Sequence, residues 1–388
     1  MLYASFGLVA TSLAPLASLV IIELGMTHAE MGLAMGAWQF IYIFSAVPSG
    51  IFLDRIGAKH SLAIAGLIVG LSALARVFAD DATALILSVM LFGLGGPIVS
   101  AGASKVVISS FTGPSRGLAM GIYMTGPAIG SIISLTTTHS ILLPLFDNSW
   151  RSILFLWSGI AFLSALSWLV LATAVDSPAT KRQNGPKVSQ TRIISGLASS
   201  SGVVIILMMS ISVMMFNHGL NNWLPELLKS HGLSAVNAGY MAALPTAIGI
   251  FASLIIPRLA TPSRRFQILI GLSVAAIGAS LMLRLTSPSY LLLGLLLQGV
   301  ANSSLVTVLI LTLLELPEVP ERYAGTASGL FFSASQLGGV LGPFTMGILY
   351  DIDVGFSNGL TMLTGVSLSI LFGALLLQKK IQNGTLSQ

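Results

Sequence analysis

Apolar runs, interrupted by short clusters of charge, Gly, Pro, Asn or Asp, follow one another along almost the whole chain. Cutting at those interruptions predicts twelve helices, near 2–24, 31–53, 61–79, 83–108, 117–140, 152–174, 194–217, 237–257, 266–285, 289–314, 324–345 and 356–377. A hydrocarbon core of about 30 Å takes roughly 20 helical residues to cross, so each run qualifies as a span. Only helices or closed barrels satisfy the backbone in lipid, and these runs are too long and too uniformly apolar for barrel strands. The expected fold class is therefore all-α integral membrane. The run 2–24 exceeds a signal-peptide core and has no basic segment before it, so it reads as the first span.

Composition agrees. Of 388 residues, 54% are hydrophobic and 8% charged, against about a quarter charged in soluble domains. The net charge of +5 would suggest nucleic acid if it formed a stripe, but the basic residues stand in separate short loops. They alternate in density: thirteen of the eighteen Lys and Arg fall on one side of the predicted spans, Arg76, Arg151, Lys229 and Arg284 on the other, and Lys105 inside a helix. Cationic loops stay in the cytoplasm, which predicts both termini there and a cell inner (plasma) membrane location. With no Cys, disulfides, thiolate metal sites and thiol catalysis are excluded. His28, His60, His139, His218 and His231 are scattered, and no nucleotide loop or nucleophile constellation is present. Neither an enzyme nor a cofactor is expected.

The longest hydrophilic break, 176–193, follows the sixth span and divides the chain into bundles at 1–175 and 194–388. A repeat supports that division. GLAMGIYMTGPAIGSIIS from Gly117 and GTASGLFFSASQLGGVLG from Gly325 align at a shift of 208 residues, pairing Gly117 with Gly325, Gly121 with Gly329 and Gly130 with Gly338. Arg116 and Arg322 precede the two copies, and each copy opens the fifth helix of its half.

Twelve spans, a central linker, two like-oriented halves and the segment GIFLDRIGAK at Gly50 to Lys59 together resemble the major facilitator superfamily over nearly the whole length. The segment matches the family signature between the second and third helices, which the resemblance makes a conformational latch. Here Gly50 permits close helix contact, Asp54 pairs with a cation or a helix N-terminus, Arg55 and Lys59 hold the loop in the cytoplasm and Gly57 makes the turn. Arg116 belongs with them. PRLATPSRR from Pro257 to Arg265 is a worn second copy. NSWRSILF from Asn148 looks like the family's entry into helix six, and Asn217 to Tyr240 looks like the seventh-to-eighth helix connection of cyanate and nitroimidazole permeases; organic-anion carriers share some of these features. Family members begin with a short tail and a longer first helix, whereas this chain starts almost at its first apolar residue.

The resemblance implies a solute cavity near the bilayer midplane, lined chiefly by helices one, four, seven and ten. Lys105 is the clearest case of a basic residue within a span, where an ionisable group points to function; snorkelling to the headgroups is the competing reading. All thirteen carboxylates map to loops or span ends, so such a cavity suits an anion or a neutral polar solute. Asn302 and Gln298 on span ten, and His218 with Asn221 at the end of span seven, are candidate ligands; interhelical hydrogen bonding competes for the first pair, a solvated helix end for the second. Trp38 and Tyr42 on span two, Tyr123 on span five and Gln336 on span eleven complete the candidate lining. Gly126-Pro127 resembles part of an antiporter motif, although Pro127 can serve simply to bend a helix. The leading expectation is a monomeric secondary transporter in the lipid bilayer, moving a small organic or inorganic anion by alternating access, with a proton as the possible coupling ion. Efflux of hydrophobic compounds by antiport and a non-transporting membrane sensor are the alternatives.

Overall fold

The computed structural model describes residues 1–172, 190–320 and 323–385, all helical or in short connections. Most of the expected linker falls outside them. The elements are α1 (Leu2–Thr11), α2 (Ala17–Leu24), α3 (His28–Ile56), α4 (Ala58–Val77), α5 (Ala82–Ser110), α6 (Gly113–Thr137) with a π-helical extension (Thr138–Leu142), α7 (Leu143–Leu145), α8 (Trp150–Leu171), α9 (Gln190–Ser199), α10 (Ser201–Ser230), α11 (Ala235–Leu259), α12 (Arg265–Met282), α13 (Pro288–Leu314), α14 (Ala324–Ile352) and α15 (Ser357–Thr385). Ten candidate membrane spans are found among the described residues. With α14 and the first span, divided into α1 and α2, they account for the twelve predicted segments.

Starts and stops follow local chemistry. Thr27 and Glu30 form a reciprocal capping box at the head of α3, and Asp81 accepts from Ala84 N at 2.7 Å to open α5. Asp147 and Asn148 carry the positive φ of the turn before α8 (50° and 61°), a conformation their short polar side chains tolerate. The exteriors of the spans are apolar: Phe155, Leu163, Leu166 and Leu171 stand exposed on α8, a surface suited to lipid rather than water.

The chain divides into two compact units, Met1–Arg182 with Asn221–Thr246, and Gln183–Leu220 with Ala247–Gln388. This differs from the expected boundary, because Asn221–Thr246 groups with the first unit. The reason is local: Glu226 and Lys229 bond Ser18 on α2, and Gly239 lies so close to Leu135 O that a Cβ there would collide with it.

Each unit carries the repeat in three dimensions. In the first, a Cβ on Gly130 would strike Ala4 O and Leu8 N of α1; in the second, one on Gly338 would strike Ile211 O and Met215 N of α10. The glycines are 208 residues apart, and their partners keep that spacing to within one residue. Small residues here let helix backbones touch, which is how helices associate without a hydrophobic driving force between them.

The same shift relates Ser72 and Arg76 on α4 to Ser280 and Arg284 at the end of α12. Arg76, counted with the loop cations, is 2% exposed. Its Nη1 donates to Val9 O at 2.9 Å and to Ser12 Oγ at 3.1 Å, and its Nη2 donates to Ser72 Oγ at 3.2 Å. Val9 and Ser12 border the bend between α1 and α2, where Pro15 can offer no N–H and the ladder tightens to Ser12 N→Val9 O and Leu16 N→Leu13 O. The guanidinium therefore ties one carbonyl beside the bend, Val9 O, to two serine hydroxyls. Arg284 donates to Thr364 Oγ1 at 3.0 Å, and Ser280 pairs with the same hydroxyl at 2.9 Å.

Candidate functional site

In the first unit the candidates converge on one aromatic and hydroxyl cluster. Gly93, Gly95 and Gly96 on α5 clear the space. A Cβ on Gly93 would collide with Trp38 O, and one on Gly96 would press on Tyr42 and Phe6 at 3.2 and 3.4 Å. Trp38 packs edge-on to Tyr42 (centroids 6.2 Å apart), Phe92 (5.5 Å) and Phe6 (6.0 Å). Tyr123 on α6 stacks on Tyr3 of α1 at 5.3 Å, and its hydroxyl meets Ser104 Oγ at 2.6 Å. The hydroxyls of Tyr3 and Tyr42 lie beside Ser100, whose own hydroxyl donates to Gly96 O at 3.0 Å. Three phenols from three helices thus meet two serines one turn apart on α5.

Trp38, Tyr42 and Tyr123 are brought together, as the sequence reading grouped them. Tyr3, Ser100 and Ser104 were missed. Two local signals carried them: Tyr3 and Phe6 lie on one helical face, as do Ser100 and Ser104. Beside the cluster is a mainly apolar cavity of about 500 Å³ that includes Leu2, Tyr3, Val106, Ile122, Tyr123 and Trp168 in its wall.

Lys105 has a partner. Its Nζ lies 2.8 Å from Asp54 Oδ1, with side chains 22% and 66% exposed. The ammonium charge is thereby committed to the latch segment in this structure rather than offered to a solute. Gly57 makes the expected turn at φ 85°. Trp168 Nε1 donates to Lys59 O at 3.0 Å, tying the segment to α8, while Arg116 closes the end of α5 by donating to Phe111 O and Ile108 O. At Gly50 the close helix contact is absent: no atom would lie within 4 Å of a Cβ there.

In the second unit, Asn217 Nδ2 donates to Asn302 O at 3.4 Å. Asn302 and Gln298, one turn apart on α13, are both buried, as is Gln336 on α14. His218 is half-buried on α10. Asn217, His218, Asn221 and Asn222 lie inside the 30-residue α10, so the solvated helix end proposed for them does not apply. Asn221, one turn on from Asn217 along α10, groups with the first unit.

Further carboxylates form ion pairs: Glu23 with Arg151, Asp80 with Arg151 at 3.6 Å, Glu226 with Lys229 at 2.6 Å, Glu315 with Arg265 at 2.6 Å and Glu318 with Lys380 at 3.0 Å. Glu23 also accepts from Trp150 Nε1 at 2.6 Å. Arg151 donates to Val77 O and Ala79 O as well, so the Asn148–Phe155 segment fastens the head of α8 to the ends of α2 and α4. Among the described residues no group of three or more His, Cys, Asp or Glu could hold a metal ion.

A family model described as Major Facilitator Superfamily matches residues 1–343. A D-galactonate transporter of Escherichia coli O6:H1 is 26% identical over 89% of this chain and 86% of its own length. A quinolone resistance transporter of Acinetobacter baumannii is 25% identical over 91% of this chain and 85% of its own. The crystal structure of the nucleoside transporter NupG superposes with a TM-score of 0.76 at 16% identity, covering 97% of each chain.

Proposed function

The chain belongs to the major facilitator superfamily, and we propose that it is a secondary active transporter that moves a small organic or inorganic anion by alternating access, coupled to protons. The observation that carries the anion reading is the fate of its carboxylates. Asp54, Glu226, Glu315 and Glu318 each pair with a cation of their own, and Glu23 and the exposed Asp80 share Arg151. The tyrosine cluster offers hydroxyl groups, and the Asn217–Asn302 pair offers amides. A site of hydroxyls and amides without a carboxylate can donate to an anion or to a polyhydroxylated solute and offers a cation no counter-charge. The likeness to a D-galactonate transporter points the same way, towards hydroxylated carboxylates.

In this reading Tyr3, Tyr42, Tyr123, Ser100 and Ser104 form the solute face of the first unit, with Trp38 packing behind them. Asn217, Gln298, Asn302, Gln336 and His218 form that of the second. Lys105 works with Asp54, Arg55, Gly57, Lys59 and Arg116 in the latch. The protein is a monomer in a bacterial inner membrane with both termini in the cytoplasm. Purified protein in liposomes tests the function: saturable uptake of labelled galactonate or another small carboxylate, accelerated by an inward proton gradient, is expected. Absence of flux for every anion offered refutes it.

Efflux of hydrophobic compounds is the second reading. The apolar 500 Å³ cavity beside Tyr3 and Tyr123 and the likeness to a quinolone resistance transporter favour it. Proton-driven extrusion of a lipophilic dye from the same liposomes, with no anion uptake, would select it.

A further inference from the structure

His139 occupies the π-helical segment Thr138–Leu142 at the end of α6. Such segments are rare in helices and gather at functional positions. Its Nε2 lies 2.7 Å from Pro15 O. A carbonyl can only accept, so Nε2 carries the hydrogen and Nδ1 of the neutral ring is the nitrogen left to take up a proton. Pro15 stands in the bend between α1 and α2, so the imidazole reads the first span at its weakest point.

Facing the ring is a three-part clasp. Glu226 Oε1 accepts from Ser18 N at 3.1 Å, Lys229 Nζ donates to Ser18 Oγ at 2.7 Å, and Lys229 lies 2.6 Å from Glu226. The charges of Lys229 and Glu226 both act on His139. From α11 the neighbour is the Gly239 backbone, packed on Leu135 O one turn before the π segment. Glu23 and Arg151, the other charges at the end of the first span, are paired with each other. Above the clasp, Trp223 packs against His28 at 5.8 Å.

We infer that His139 is a proton-binding site that controls this clasp, so that an imidazolium there releases the α10 tip from α2 and a neutral imidazole lets it close. A second positive charge beside Lys229 repels the ammonium and competes for Glu226, the only carboxylate of the clasp. Both effects weaken the bonds to Ser18. The clasp lies at the end of the spans with few Lys and Arg, which the charge bias assigns to the outside. External protons would therefore open the side from which cargo enters. The inference rests on the transport reading only for that last step; proton binding and opening need no cargo.

The absence of Cys from the sequence gives a clean background for the test. Ile22→Cys and Asn237→Cys place spin labels on α2 and α11, at exposed positions outside the clasp. In lipid nanodiscs, the distance between them, measured by double electron–electron resonance, should lengthen by several ångströms from pH 8 to pH 5.5. His139→Gln, which retains a donor for Pro15 O, should hold the short distance at both pH values. Glu226→Gln, with His139 intact, should show the long distance at both. A wild-type distance that ignores pH, or an unchanged pH response in His139→Gln, overturns the inference and leaves anion transport standing. Failure of all anion uptake with the pH response intact does the reverse.

Discussion

Replacing Lys105 by Gln separates two roles for the same ammonium group. The pair with Asp54 is short, at 2.8 Å, yet Asp54 is 66% exposed. Solvent-exposed pairs contribute about 0.2–1 kcal/mol, which changes an equilibrium by about 1.4- to 5-fold. If Lys105 acts only through the latch, Lys105→Gln and Asp54→Asn each alter the uptake rate by no more than about that factor. The double variant is then no worse than the more impaired single one, because one interaction has been removed in all three. A solute contact predicts another pattern. Loss of a charge-assisted bond to a bound anion costs about 1.5–3 kcal/mol, and Lys105→Gln alone would bring uptake near zero. Initial rates in liposomes, normalised to protein inserted and measured for the four variants of the cycle, decide the matter. Uptake abolished in Lys105→Gln and retained in Asp54→Asn refutes the latch assignment.

Further outcomes follow from the packing and from the ion pairs. Gly130→Ala and Gly338→Ala force a Cβ onto backbone atoms of α1 and α10 that cannot rotate aside. Each should cost about 1–3 kcal/mol and lower the melting temperature in detergent, whereas Gly50→Ala, with open space around it, should leave it unchanged or raised. Tyr123→Phe removes the bond to Ser104 and should cost about 1 kcal/mol; its direct mark is a raised KM for the transported anion, with surface expression unchanged. The hydrogen bonds from Arg265 hold the Glu315 carboxyl below the usual carboxylate range. A depressed value in the folded state stabilises above the unfolded pKa of about 4.3 and loses that contribution as pH falls through the folded one. Glu315→Gln should thus be less stable than wild type at pH 7 by at most about 1 kcal/mol for so exposed a carboxylate, seen as a slightly lower melting temperature that converges with wild type in strong acid.

The spans were legible because lipid demands long apolar helices, and hydropathy reports that directly. The turn at Gly57 was legible because glycine tolerates a positive φ and the surrounding charges sit in a short loop. The repeat at Gly130 and Gly338 was legible because glycine at a helix contact has no substitute of similar size. Other features depended on partners distant in sequence. Lys105 meets Asp54 51 positions away, and nothing local distinguishes that pairing from a free ammonium group. Arg76 resembles a loop cation until the bend at Pro15 supplies a carbonyl for it. The polar stretch Asn217 to Asn222 looked like a helix end, but α10 runs through it to Ser230, because the backbone ladder continues whatever the polarity of the half-buried side chains. Tyr3 escaped notice because a single tyrosine at the head of an apolar run reads as an interface anchor; its role emerges only with Tyr123 stacked on it and Ser100 within hydrogen-bond reach.

Among the described residues, the polar interior of each unit offers hydroxyl and amide groups rather than carboxylates, a setting that favours negative cargo. Competition in liposomes tests it directly: a labelled hydroxy-carboxylate, its uncharged methyl ester and an amine of the same size are offered to the purified protein at equal concentration. The account predicts saturable uptake of the carboxylate, with neither analogue transported or competing strongly. Transport of the amine in preference to the carboxylate would contradict it.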